Sequence, residues 1–341
     1  MVMIIQPLII LERGLPMTAR PSAKKKTVKK IQRQQSGFLR SIDRRYPGVV
    51  DKIRQAIEKS EREVSGSEHE DSFLWEHSLH VAYLAWKIAG AEKKDSTLAG
   101  LAALLHDAGK FQGGLYHQNN LPEEEASARV AAGILKEAGV TEKGQRRLKD
   151  ILINLHREGA AADSLTDIIH DADFLAKFGL VGVANFFIKT TLRGRNLQGA
   201  IMNHLSKEMT YAAALPLNMR TQAGRQLAVK KSAESLDFYK NLLQELKDIH
   251  GLSYEIKKKR VVLSAGKKTK SADKIDVFLV LPRKCDRCGG KWEINPRLEK
   301  GIKCRQAVFR LVCEQCGNAY QINFCLPGLN RVGPRELVDN K

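Results

Sequence analysis

The stretch from Ser96 to Asp107 reads Ser-Thr-Leu-Ala-Gly-Leu-Ala-Ala-Leu-Leu-His-Asp. A helix this apolar on every side belongs inside a protein, walled by other helices, not on its surface. Yet the run ends in His106 and Asp107. Burying an imidazole beside a carboxylate costs several kcal/mol unless something compensates. A divalent metal compensates well, because it accepts a neutral imidazole nitrogen and a carboxylate oxygen together. The pair therefore points to metal-dependent hydrolytic chemistry, and the rest of the chain must supply further ligands.

Length and composition fit that setting. The 341 residues are enough for two or three domains, and 43% hydrophobic with 28% charged is an ordinary globular balance. Aromatics are scarce at 6%, and long Ala/Leu/Lys/Glu-rich stretches favour helix. The net charge of +19 is concentrated: residues 18–45 hold ten Lys/Arg against one Asp, and residues 255–274 hold eight against two acids. These two segments suit either polyanion contact, nucleic acid included, or solvated linker. No 18-residue apolar run exists, so no membrane span is expected. Met1–Leu11 is apolar but lacks a basic flank and a small-residue cleavage site, so it does not read as a signal peptide. Met17 is a plausible alternative start, which would leave residues 1–16 untranslated.

Helical periodicity runs through 49–64, 74–89, 96–107, 122–138, 142–156, 164–190, 195–213 and 221–249. Pro122 with Glu123, Glu124 and Glu125 marks a helix start, and Gly109 and Gly139 mark stops. At Gly251 the character changes: 261–263, 276–281, 307–312 and 321–324 are rich in β-branched and apolar residues and read as strands.

Other candidate ligands lie on other helices. His77 falls on the inward stripe of 74–89, four residues before Val81. Asp171 and Asp173 lie inside another apolar helix, about 100° to either side of its apolar stripe, so periodicity does not choose between them. A His, a His-Asp pair and a distant Asp would make a mixed nitrogen and oxygen site suited to Mn, Fe, Co, Mg or Zn, with positions left open.

The strings His77-Ser78-Leu79-His80-Val81-Ala82, Leu104-Leu105-His106-Asp107-Ala108-Gly109-Lys110 and Asp171-Ala172-Asp173-Phe174-Leu175 resemble the HD-domain superfamily of metal-dependent phosphohydrolases. Met219-Arg220-Thr221-Gln222-Ala223-Gly224-Arg225 resembles the C-terminal helix region of one bacterial branch of it, so the likeness covers about residues 70–245. The resemblance implies that His77, His106, Asp107 and one later Asp ligate a metal. The family's Ala-Asp-x-Leu pattern favours Asp173 over the alternative Asp171. His80 reads as a packed neighbour, and His117 and His156 are candidates for a second metal. Asp107 and Lys110 are the expected catalytic pair: Asp107 ligates and takes a proton from water, and Lys110 neutralises phosphate charge. Arg193, Arg195 and Arg220 are further phosphate-binding candidates.

Cys285-x-x-Cys288-Gly289 and Cys313-x-x-Cys316-Gly317 are two knuckles with 24 residues between the inner cysteines. Each turn aims two thiolates at one metal, and the pair looks like a zinc ribbon. Cys304 and Cys325 read as small core residues.

The expectation is a mainly α protein. Residues 1–45 form a basic arm, 46–251 an HD-type helical phosphohydrolase domain, and 252–341 a basic linker with a small β-rich zinc ribbon. The expected substrate is a nucleotide or other phosphoester, processed with a divalent metal in a cytoplasmic setting. The alternative is an RNA- or DNA-binding protein that uses the arm and ribbon, with the helical domain as scaffold or ligand sensor.

Overall fold

The computed structural model describes residues 37–65, 72–112, 122–155, 163–250, 254–263, 273–285, 287–300 and 305–324. His117, His156, Cys304, Cys325 and most of the basic arm lie outside the described residues.

Helix α1 (37–45) buries Phe38 and Ile42. In α2 (Val49–Ser65), Val49, Val50, Ile53 and Ile57 make the inward stripe. Helix α3 (Phe73–Ala91) starts at Ser72, whose hydroxyl accepts the Trp75 N–H at 3.0 Å. Helix α4 (Ser96–Leu105) starts at Asp95, whose carboxylate accepts the Leu98 N–H at 2.9 Å. Every residue from Leu98 to Leu105 is buried, as an all-apolar helix requires. Helices α5 (Glu123–Glu137), α6 (Glu142–Ile153) and α7 (Ser164–Ala176) complete the core around α3 and α4.

The expected helix 164–190 is two helices. Phe178 is extended and Gly179 takes φ +76°, so α7 stops and α8 (Gly179–Leu192) restarts in a new direction. The freed Gly179 N–H donates to Ser235 Oγ at 2.8 Å. The apolar pattern runs through this break, and the glycine is its one sequence trace. Helix α9 (Leu197–Ala200) continues through a π-turn at Ile201–Leu205 into α10 (Ser206–Asn218), and α11 (Gln222–His250) closes the helical part.

Strands β1 (Tyr254–Leu263) and β2 (Asp273–Pro282) form an antiparallel ribbon with Tyr254 opposite Pro282. Strands β3 (Trp292–Lys300), β4 (Arg305–Cys313) and β5 (Ala319–Phe324) form an antiparallel sheet. The basic stretch that composition offers as linker thus begins as strand. The ribbon does not stand apart either. Phe278 N–H donates to Thr210 Oγ1 and Val280 N–H to Ser206 Oγ, both at 2.9 Å, so α10 hydroxyls satisfy the free edge of β2. Val280 is buried among Ile201, Leu205, Met209 and Tyr239, and Ala214 joins Val277, Leu279 and Trp292. Residue 251 separates helix from strand but not one core from another. Among the described residues, no helix is long and apolar enough to cross a membrane.

Candidate metal centre

Three helices bring four polar side chains to one buried corner. His77 lies in the second turn of α3, His106 and Asp107 follow the last turn of α4, and Asp173 lies in the third turn of α7. All four are buried. His77 Nε2 is 3.4 Å from Asp173 Oδ1 and 3.8 Å from Asp107 Oδ2. His106 Nε2 is 3.6 Å from Asp107 Oδ2 and 3.8 Å from Asp173 Oδ1. These gaps are long for hydrogen bonds. One ligand atom each of His77, His106 and Asp107 lies within 4.8 Å of the others, and Asp173 approaches the two histidines; these gaps are near the ligand-to-ligand edge of about 3.4 Å expected for bonds of about 2.1 Å.

The tautomer fits as well. His106 Nδ1 lies 2.7 Å from the Ala103 carbonyl, so Nδ1 carries the proton and Nε2 presents its lone pair. That Nε2 is buried with no hydrogen-bond partner. An orphaned acceptor beside two carboxylates is unfavourable in an apolar core, and a cation resolves it. Ionisation agrees. Burial pushes the Asp107 carboxyl up, but His106 and Lys110 outweigh it and hold it below the usual carboxylate range. Burial likewise raises Asp173, and Lys177 and His77 outweigh it, leaving it well below. Burial holds the His77 imidazole below its ordinary value. Ionised carboxylates and neutral imidazoles are the forms that bind metal.

The turn after α4 is shaped to hold this pair. Successive tight turns run from Leu105 to Gln112, and Gly109 lies against the start of α5, its N–H donating to Ser127 Oγ at 3.0 Å. A Cβ on Gly109 would fall 2.2 Å from Ser127 N and 2.3 Å from Ala126 C. Lys110 Nζ then reaches Asp107 Oδ2 at 2.6 Å.

Asp171 faces away from the corner, since two residues along a helix turn a side chain by about 200°. It is fully buried, and its oxygens accept the N–H groups of Arg220 at 2.9 Å and Thr221 at 2.8 Å and the Thr221 hydroxyl at 2.7 Å. It anchors the start of α11 to α7. Arg220 sits on that same far side, with its guanidinium 3.3 Å from Asp167, so the structure does not bring it to the corner. Arg195 pairs with His204. His80 is also outside the corner; burial and Lys231 hold it neutral, down to about 4. Sequence reading passed over Lys177, whose Nζ lies 2.7 Å from Asp173 Oδ2. Its i,i+4 spacing from Asp173 was a usable signal.

The second cluster is in the sheet. Cys285 Sγ lies 3.6 Å from Cys316 Sγ, and Cys288 Sγ 3.4 Å from Cys313 Sγ, with all four sulfurs within 4.8 Å of one another. The sulfurs of a tetrahedral zinc site, with bonds of about 2.3 Å, are about 3.8 Å apart. Each knuckle closes on itself, Gly289 N–H to Cys285 O at 2.8 Å and Gly317 N–H to Cys313 O at 3.0 Å, with both glycines at positive φ. Burial raises the Cys285 thiol, but backbone N–H groups of Arg287 and Cys288 bring it down to about 7. The Gly290 N–H lowers Cys288, but the Cys313 and Cys316 sulfurs lift it to about 12. Four sulfurs this close cannot all ionise without a cation between them. All four cysteines are free of disulfides.

Residues 74–177 match the family model of the HD domain, a span that runs from α3 to α7 and contains all four corner residues. This part of the chain is an HD domain. Among solved structures, the chain is similar to a predicted HD superfamily hydrolase from an uncultured Thermotogales bacterium, at 20% identity over 61% of this chain and 98% of that one, TM-score 0.43. It is similar to Bacillus subtilis YpgQ, solved in complex with ADP, at 24% identity over 60% and 96%, TM-score 0.44. It is also similar to an HD-superfamily hydrolase from Bacillus thuringiensis, at 19% identity over 60% and 98%, TM-score 0.45. No curated protein matches the chain.

Proposed function

We propose that the protein is a metal-dependent phosphohydrolase acting on a nucleotide or other phosphoester. The observation that carries this reading is the buried His106 Nε2 with no hydrogen-bond partner, aimed with His77 Nε2 at the ionised Asp107 and Asp173 carboxylates, each of which also pairs with one lysine, Lys110 or Lys177. His77, His106, Asp107 and Asp173 would hold one divalent cation. Such a cation supplies Lewis acidity to a phosphoryl oxygen and makes water a nucleophile near neutral pH.

The chain's own residues do the rest. The Ala103 carbonyl fixes the His106 ring so that its lone pair stays on Nε2. Asp107 holds one carboxylate oxygen toward the corner and can accept the proton released when water attacks. Lys110, 2.6 Å from Asp107, stands where it can neutralise charge on the phosphoryl oxygens. The bundle core keeps bulk water from the inner side of the site. The four cysteines are assigned to a structural zinc that organises β3–β5.

The test is a screen of phosphomonoesters, phosphodiesters and nucleotides with Mn, Co, Fe, Ni and Mg in turn. Turnover that disappears in Asp107→Ala supports the reading. No hydrolysis of any phosphoester with any of these metals overturns it.

A further inference from the structure

Lys189 lies on α8, outside the segment that matches the HD domain. Its ammonium sits 5.0 Å from the centre of the Phe73 ring. Phe73 is four residues before His77 on α3, one helical turn away on the same face. The amine is therefore held at the rim of the metal corner. It is partly buried, and among the described residues it has no carboxylate partner. A partly buried cation that lacks an anion is costly.

Its neighbours increase that cost. Lys110 Nζ and Lys177 Nζ stand on the two corner carboxylates, at 2.6 and 2.7 Å, and Lys177 also lies 5.1 Å from the Phe174 ring centre. Burial pushes the Lys189 ammonium below its ordinary value, and Lys110 and Lys177 push it the same way, with Asp173 and Asp107 opposing. Glu208 of α10 is within electrostatic reach of Lys189 and Lys177 but forms no ion pair with either. Burial pushes its carboxyl up to about 7, so it offers Lys189 only partial compensation. Three lysines from three places in the fold thus surround two carboxylates. A divalent cation on those carboxylates would leave the rim with a clear excess of positive charge, and an anion larger than one phosphoryl group would balance it.

We propose that Lys189 anchors a second phosphate of the substrate, beyond the one held at the metal corner, so that the enzyme prefers a diphosphate chain to a single phosphate. This rests on the metal-corner reading above. Lys110 and Lys177 serve the inner phosphate, where they lie against Asp107 and Asp173. Lys189 serves the outer one, with its stem packed on Phe73.

The test uses the full chain saturated with Mn, and two probes that cannot be hydrolysed, methylphosphonate and methylenediphosphonate, with binding followed by calorimetry. The wild type is expected to bind the diphosphonate about tenfold or more tightly than the monophosphonate. Lys189→Met, which keeps the apolar stem, should weaken diphosphonate binding about tenfold and change monophosphonate binding less than about twofold. Lys189→Arg should retain the preference, and Lys230→Met, on the exposed face of α11, should alter neither affinity. Equal binding of both probes by the wild type overturns the proposal and leaves the phosphoester reading standing. A Lys189→Met variant that weakens both probes alike, or neither, also overturns it. Failure of the wild type to bind either probe would remove the metal-corner reading itself.

Discussion

The two candidate metal sites are built in opposite ways. The helical corner draws on residues 77, 106, 107 and 173, spread over three helices, and sits inside a core of large aliphatic side chains that closes without it. The cysteine cluster draws on two short knuckles, with Cys288 and Cys316 exposed, above a small core of strand residues that Ala214 of α10 joins. A core as large as that of the bundle supplies its own folding free energy, and an ion held there would add chemistry rather than stability. A three-stranded sheet with few buried side chains lacks that reserve, and an ion held by its cysteines would be part of its fold. The contrast separates a site that the fold builds from a site that builds the fold.

Zinc removal should break this symmetry most visibly. A strong chelator, or Cys288→Ala, is expected to unfold β3–β5 while the far-UV helical signal stays nearly intact; loss of the helical signal as well would mean that the two parts fold as one. Next in size is Asp171→Ala. It leaves the N–H groups of Arg220 and Thr221 and the Thr221 hydroxyl without their buried acceptor, and should cost about 3 kcal/mol in denaturant unfolding with metal content unchanged. Gly109→Ala forces the turn after α4 away from the start of α5, at a cost of about 2 kcal/mol. Because that shift moves Asp107, it should lower metal affinity too, which equilibrium dialysis would measure. The smallest stability effect is expected at the corner itself. Asp107→Asn keeps the shape, and should move the melting temperature of the metal-free protein by no more than about 4 °C while reducing turnover by about 10³-fold or more. A large loss of stability there would erase the distinction between the sites.

The parts legible in the sequence were those with a local signature. An apolar run ending in His106-Asp107 and two C-x-x-C-G turns carry their meaning within a few residues. The helical bundle followed by strands was legible from periodicity. Long-range geometry was not. Asp171 and Asp173 are equivalent to the helical period, and their roles diverge because one faces α11 and the other faces His77. The break at Gly179 is hidden in a continuous apolar pattern. Lys189 carries no motif at all; only the packing of α8 on Phe73 brings it to the corner. The strand that begins at Tyr254 reads as basic linker because its lysines dominate the composition.

If the bundle and the knuckles each hold a cation of their own, elemental analysis of the purified protein beside His106→Ala and Cys288→Ala will separate the two. Zinc plus a second ion is expected in the wild type, with loss of only the second ion in His106→Ala and of only the zinc in Cys288→Ala. A wild-type protein holding no ion beyond zinc on the cysteines, or a His106→Ala variant that keeps the full complement, would show that the helical corner holds no cation.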